Sequence, residues 1–497
     1  MVIIQIILKI IYFLIKLYYL VYIKMSQPIS SVKKFEIAPM NQSSGNATFS
    51  YVNGNPLVQF EIGAADTYLM SSKMRLNFRL QLTLGADNAA ATKRPNNNGQ
   101  DGGAAAALLI NNKIGCASVF ESITVSNLQN NVIESCRSYP RLLASVIPSG
   151  ASFGDYTTYL TQSFGATSNK TVQGRLCNTS GAVDRSFIEV SMPLMCGVFL
   201  NGENIPLSFQ SGTGGLRISI QLAPSIQGLF GDTPATTTNS FYTLSQVSLT
   251  GEYGVPAGGR LPPIKALPFS AFQNFYSVIN NGDNTQQTNP ALSAVISQFT
   301  NFVPTEHISN YGQDGYKTTP LLNKSTAAGT PQTNLAPIQG VDFIRSGTKY
   351  PLMFKIDENN VVRRDVAAAN NDQYAGSTFE AQRQLYFQSA LRPLRGTKSV
   401  LAGANSEGLS IANGDTNHNS TTGTTQGVIS TGFQNCYGVG CRYDAVGNGS
   451  SANFMGRPFS MRIQSKLDGA SPMSAYQYYL HRGMINFDSN GIVSIST

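Results

Sequence analysis

Gly254-Val-Pro-Ala-Gly-Gly-Arg-Leu-Pro-Pro-Ile-Lys-Ala-Leu-Pro268 cuts the chain near its middle. Proline removes a backbone donor and glycine denies the backbone a single stiff conformation, so such a run suits a connector between sheets better than a place inside one. On both sides of it, short alternating segments are separated by long polar stretches. A single hydrophobic core seldom grows past about 250–300 residues. The 497 residues therefore divide into two β-rich halves that meet at this joint.

The alternation is clearest in Lys73-Met-Arg-Leu-Asn-Phe-Arg-Leu-Gln-Leu-Thr-Leu84, where Leu76, Phe78, Leu80, Leu82 and Leu84 fall on one face of a strand. Ser122 to Glu134 reads as strand, turn, strand, with Asn and Gln supplying the turn chemistry. Further strands are expected at Phe187–Met192, Leu216–Ala223 and Phe241–Tyr253 in the first half. In the second half they are expected at Val341–Ile344, Tyr350–Ile356, Phe459–Gln464 and Gly491–Ser496. Two short helices are expected, Tyr139–Ile147 with Pro140 in the tolerant first turn, and Phe379 to Leu391. Residues 85–106, 322–337 and 403–427 are polar and aperiodic and read as long surface loops. The pattern is all-β, two β-sandwiches in tandem with a few short helices.

Charged residues make up 12% of the chain, about half the usual ~25%, which fits a surface that neighbours will cover. The formal charge of +8 falls to +5 once Lys9, Lys16 and Lys24 are set aside. Basic residues come at most in pairs, as in Lys33-Lys34, Lys93-Arg94 and Arg363-Arg364. No cluster neutralises a run of phosphates, so direct sequence-specific binding of nucleic acid is not expected. Residues 1–24 have the length of a membrane span and would read as a signal anchor. They hold no Gly, Ala, Ser, Thr, Pro, Asn, Asp or Glu, unlike the chain that follows, and the preferred reading is an extension ahead of a start at Met25.

Chemistry-bearing residues are sparse. His307, His418 and His481 are the only histidines, and none stands in a nucleophile or zinc-ligand spacing. Glu306-His307 is read as structural and His418 as solvated. Cysteines 116, 136, 177, 196, 436 and 441 are scattered and are read as reduced core residues. Cys436-Tyr-Gly-Val-Gly-Cys441 has the spacing of a disulfide or half a metal site, and it lacks a second close Cys or His pair to complete a zinc site. Gly212-Thr-Gly-Gly215 lacks the Gly-Lys-Ser/Thr of a phosphate loop and reads as a tight turn. Sequons at Asn46, Asn178 and Asn448 matter only in a secretory pathway. The Tyr476-Gln-Tyr-Tyr-Leu-His481 cluster reads as either a subunit-interface patch or ordinary packing. No catalytic, cofactor-binding or metal-binding residue is assigned, and no enzyme activity is expected.

The ordered pieces of the chain resemble the double jelly-roll major capsid proteins of virophages, polinton-like viruses and related tailless DNA viruses. In the first half the likeness rests on Ile114–Val125, the Tyr139-Pro-Arg-Leu-Leu helix, Ser191–Phe199, Asn204–Leu207 and Leu216–Pro224. In the second it rests on Ser297–Pro304, Ile308–Tyr311, Phe343–Leu352, Asp444, Phe459–Ile463, Ser465, Leu467-Asp468 and Tyr476–His481. The resemblance implies two tandem eight-stranded jelly rolls in a homotrimeric, pseudo-hexameric capsomer tiling an icosahedral shell, with a penton or minor capsid protein as further partner. It divides the chain into an extension or anchor (1–24), an N-terminal arm (25–55), a first jelly roll (56–258), a linker (259–268) and a second jelly roll (269–497). On this reading the joint is a hinge whose rigidity sets the angle between the rolls, and the long second-half loops are candidates for outward-facing turrets. A membrane-anchored β-sandwich adhesin or lectin is the alternative, supported by residues 1–24 and the sequons. A carbohydrate-active or cupin-like jelly-roll enzyme needs paired carboxylates or clustered histidines, and the three dispersed histidines count against its metal version.

Overall fold

A computed structural model describes residues 29–42, 48–83, 108–109, 114–150, 163–164, 187–200, 204–207, 214–224, 230–231, 241–261, 266–304, 338–345, 348–349, 387, 389–391, 438–443, 451–456, 459–465, 473–487 and 493–496. The first half contains β1 (Ile29–Ile37), β2 (Leu57–Gly63), β3 (Tyr68–Met70), β4 (Arg75–Thr83), β5 (Leu108–Leu109), β6 (Phe120–Asn127), β7 (Val132–Arg137), helix α1 (Tyr139–Gly150), β8 (Phe187–Met192), helix α2 (Gly197–Leu200), β9 (Asn204–Pro206), β10 (Gly215–Leu222), β11 (Phe230–Gly231) and β12 (Phe241–Pro256). The second contains β13 (Ala266–Ile279), β14 (Gly282–Thr288), β15 (Val295–Pro304), β16 (Ile338–Arg345), β17 (Thr348–Lys349), β18 (Gly438–Arg442), β19 (Phe459–Ser465), β20 (Met473–Phe487) and β21 (Val493–Ser496).

The first half builds one sheet in the order β8-β4-β12-β3-β9 with β1 added on β12, a second in the order β2-β10-β6-β7, and a short β11-β5 pair. The second half builds β13-β20-β15-β18, with β21 on β20, and β14-β19-β16-β17. Among the described residues no ladder joins a strand before the joint to one after it. These are antiparallel sheet pairs whose neighbours are distant in sequence, the arrangement of jelly-roll sandwiches.

The alternation read from sequence is the alternation of burial. Leu76, Phe78 and Leu80 of β4 are buried, as are Val58, Phe60 and Ile62 of β2 and Ile218 and Ile220 of β10. Their outward neighbours pair across the ladders: Arg217 Nε donates to Glu61 at 2.9 Å, and Arg79 meets Glu189 at 2.5 Å. The expected strand, turn, strand is β6 and β7, and Asn127 Oδ1 accepts from Gln129 N and Asn131 N to close the turn.

The structure differs from the sequence reading at the joint. β12 runs on through Pro256 and β13 already begins at Ala266, so the prolines at 256 and 268 sit at the ends of long strands. Both are near strand termini, where a missing donor costs least. The segment read as a polar arm also carries structure. β1 pairs with β12 from Ile37↔Leu249 to Ile29↔Pro256, Phe35 stacks on Tyr253 at 4.2 Å, and Phe49 is fully buried beside Leu244. A run of exposed residues, Ser30 to Lys34, hides a strand whose packed side chains are Phe35 and Ile37 at its far end and Ile29 at its start.

Helix α1 forms where expected, and only 387 and 389–391 of the second expected helix lie within the described residues, in helical conformation. The expected strand at 350–356, the three long loops and residues 1–24 lie outside the described residues. Among those described, no helix is long and apolar enough to cross a membrane.

Candidate functional site

The two halves share one hydrophobic core. A contiguous set of buried side chains runs from Phe60, Leu142 and Phe199 in the first half to Phe272, Phe299, Tyr476 and Tyr478 in the second. A smaller cluster around Phe302, Phe454, Phe459, Met461 and Tyr479 lies within the second half. The centre of the sheet carrying β13, β20, β15 and β18 is therefore buried on both faces, inside its own sandwich and against the first half, while Tyr276 and Val278 at one end of β13 stay exposed. We call this second contact the seam.

Helix α1 is the first half's main contribution. Residues four apart lie on one helical face, and Arg141 and Ser145 both reach the second half. Ser145 Oγ donates to Asn301 Oδ1 at 2.9 Å, and Asn301 Nδ2 donates to the Arg141 carbonyl at 3.0 Å. The Arg141 guanidinium stands 5.8 Å from the Tyr476 ring centroid, and Tyr478 Oη donates to the Ser138 carbonyl at 3.1 Å. Burial of these polar groups is tolerated because they answer one another across the seam.

The second contribution is a buried carboxylate. Glu134, on the edge strand β7, is 3% exposed and accepts three backbone donors: Gly197 N at 2.9 Å and Phe272 N at 2.8 Å on Oε1, and Val198 N at 2.9 Å on Oε2. Cys136 Sγ donates to the same Oε1 at 3.3 Å. Two of these backbone groups open helix α2, and the third lies on β13, whose partner β20 leaves one edge of the strand free. One side chain thus ties β7, α2 and the edge of the second half's inner sheet together. Burial raises the Glu134 carboxyl above the usual carboxylate range, while its backbone donors pull against that shift.

Gly197 sets the closeness of the seam. A Cβ there would stand 2.7 Å from Ala271 Cα and 2.9 Å from the Ser270 carbonyl, both backbone atoms of β13. Only a residue without Cβ lets α2 lie against the strand at this spacing.

Sulfur gathers at the same place. Cys136 Sγ, Cys196 Sγ and a Glu134 carboxylate oxygen lie within 4.8 Å of one another and are the one group of this kind among the described residues. Oε1 already receives three donors, Gly197 N, Phe272 N and Cys136 Sγ, while Oε2 receives Val198 N alone. Tyr139 Oη, which accepts from Met195 N at 2.9 Å, borders the group, and burial drives its phenol far above its ordinary range.

The other residues singled out in the sequence fall as follows. Cys116, Cys136, Cys196 and Cys441 are buried free thiols, with Cys441 pushed up to about 12 by burial. His481 is buried on β20, and burial lowers its pKa to about 4. His307, His418, Cys177, Cys436 and the sequon asparagines lie outside the described residues. In the aromatic cluster, Tyr476, Tyr478 and Leu480 join the core shared with the first half, while Tyr479 packs against Phe275, Phe454 and Phe459 inside its own sandwich. It is an internal interface between two halves of one chain. In the sequence Glu134 reads as one more polar residue of an ordinary strand.

This arrangement defines an all-β protein of the double jelly-roll class, two tandem sandwiches fused along a continuous core. No family model and no curated protein sequence matches the chain. Among solved structures it is similar to PBCV-1 VP54, a crystal structure fitted into a reconstruction of the virophage Sputnik, with TM-score 0.50, 10% identity, 95% of this chain and 98% of that chain covered. The quasi-atomic model of the PBCV-1 virus capsid matches with TM-score 0.50, 11% identity, 95% of this chain and 98% of that chain. The mavirus major capsid protein matches at TM-score 0.43, 9% identity, 95% of this chain and 91% of that chain.

Proposed function

We propose that the chain is a viral major capsid protein that assembles as pseudo-hexameric trimers into an icosahedral shell and resides in the virion. The observation that carries this reading is the fusion of two jelly-roll sandwiches through one core, in a fold shared with capsid structures over 95% of the chain. A shell subunit must present two sandwiches at a fixed angle, so that three copies offer six roughly equivalent sides to their neighbours. A buried seam with a two-sided central sheet supplies that fixity without catalysis. Cyclic closure then limits growth to a defined particle in place of open aggregation. A penton or minor capsid protein is the expected further partner.

Expression from Met25 followed by light scattering and electron microscopy tests the proposal. Trimers with hexagonal outlines are the expected result. A protein that stays monomeric across micromolar concentrations overturns it.

A further inference from the structure

Two thiols stand together directly under the carboxylate that clamps the seam. Cys136 lies on β7 and Cys196 immediately precedes α2, segments brought together only by folding. Their Sγ atoms are within 4.8 Å of each other. Among the described residues neither Cys116 nor Cys441 has a second thiol among the groups acting on it. A disulfide needs the sulfurs to close to about 2.05 Å.

We propose that Cys136 and Cys196 are a redox pair that closes to a disulfide when the protein meets a small peroxide. One thiol is oxidised by hydrogen peroxide to a sulfenic acid, its sulfur taking one oxygen atom while the other leaves as water. The second thiol then attacks that sulfur, the S–S bond forms, the S–O bond breaks, and the hydroxyl departs with a proton as a second water. In sum, two thiols lose two hydrogens and one peroxide becomes two waters. A small oxidant is required because the site is closed to bulky disulfides such as that of glutathione.

The bridge fastens β7 to the start of α2, the two segments from which Glu134, Gly197 and Val198 hold β13. Burial disfavours the thiolate, so closure is slow. The same burial shields the finished bond from thiol reductants. Its purpose rests on the capsid reading: a subunit made in a reducing cell interior and carried outside in a particle gains a covalent lock on its seam after assembly. The pairing chemistry does not depend on that reading.

The test uses the full chain, purified under a thiol reductant, freed of it, and exposed to hydrogen peroxide while native. The protein is then denatured, alkylated, digested and analysed by mass spectrometry. The expected product is one linked peptide pair joining Cys136 to Cys196, two hydrogens lighter than the sum of its parts, cleaved by dithiothreitol only after denaturation. The urea midpoint of the oxidised protein should rise, and this rise should be absent in Cys136→Ser or, should that variant fold poorly, in Cys196→Ala. Full alkylation of both cysteines after peroxide, sulfinic acid at either, or links to other cysteines overturns the proposal. Stoichiometric zinc in the isolated protein also overturns it, by making the pair a metal site. A monomer that forms the bridge defeats the capsid reading alone, and a trimer without it defeats this inference alone.

Discussion

At the scale of single residues, burial of ionisable groups sets the response to pH. His481 has its pKa lowered to about 4 from an ordinary 6.5, because the buried ring is costly to charge. The unfolded chain therefore binds the proton more readily. The stability tied to this residue is present above pH 6.5 and is lost as pH falls toward 4. Replacement by Gln should flatten the acid limb of a denaturation midpoint against pH, removing up to about 3 kcal/mol of pH dependence. Glu134 has the opposite sign. Its raised carboxyl keeps its most favourable contribution below the ordinary carboxylate range and loses it as pH climbs through the raised value. Glu134→Ala strands three buried backbone donors and should lower unfolding stability by about 3 kcal/mol. Glu134→Gln keeps an acceptor for part of them and should cost less, and urea denaturation of the two variants measures the difference.

At the scale of elements, the seam works by close approach and by a strand buried on both faces. Gly197→Val puts a branched side chain against the β13 backbone, where the space ends 2.7 Å from the Cβ position. We expect it to cost about 3 kcal/mol or more, within the upper range for overpacking, and to reduce the yield of capsomers counted by electron microscopy. Asn301→Leu keeps the branched outline of the side chain, with more bulk, but cannot answer Ser145 or the Arg141 carbonyl. It should destabilise by about 2 kcal/mol, and a Ser145→Ala, Asn301→Leu double variant should cost less than the two single changes added together.

Strands with one wet face, such as β4 and β10, announce themselves by alternation. Strands with two dry faces do not: β20 reads Tyr-Gln-Tyr-Tyr-Leu-His over 476–481 and shows no period, because both of its faces meet protein. The aromatic cluster was legible as important, while its division between two cores was not. β1 was illegible for the converse reason, since its residues are largely exposed and its order comes from pairing with β12.

At the scale of the whole molecule, the shared core changes what holds the two sandwiches at their angle. The sequence points to the joint; the buried contacts point to the seam. Replacing Pro262 and Pro263 with Gly should leave capsomer yield close to that of the parent protein, in contrast to Gly197→Val. A core that spans both halves should also melt as one unit. Calorimetry should give a single transition, and two well-separated transitions would contradict a load-sharing seam.

What the sequence determined by itself is the architecture: the all-β class, the period-two strands and the short helix at Tyr139 follow from local steric and burial preferences that act within a few residues. What only the tertiary structure decided is the seam. Glu134, Cys136, Gly197, Phe272 and Asn301 acquire their roles from neighbours that are mostly far away in the chain, such as Glu134 and Phe272 across the joint. No local pattern encodes such meetings, because the donors that make a buried carboxylate tolerable are backbone groups and leave no mark in the side-chain sequence.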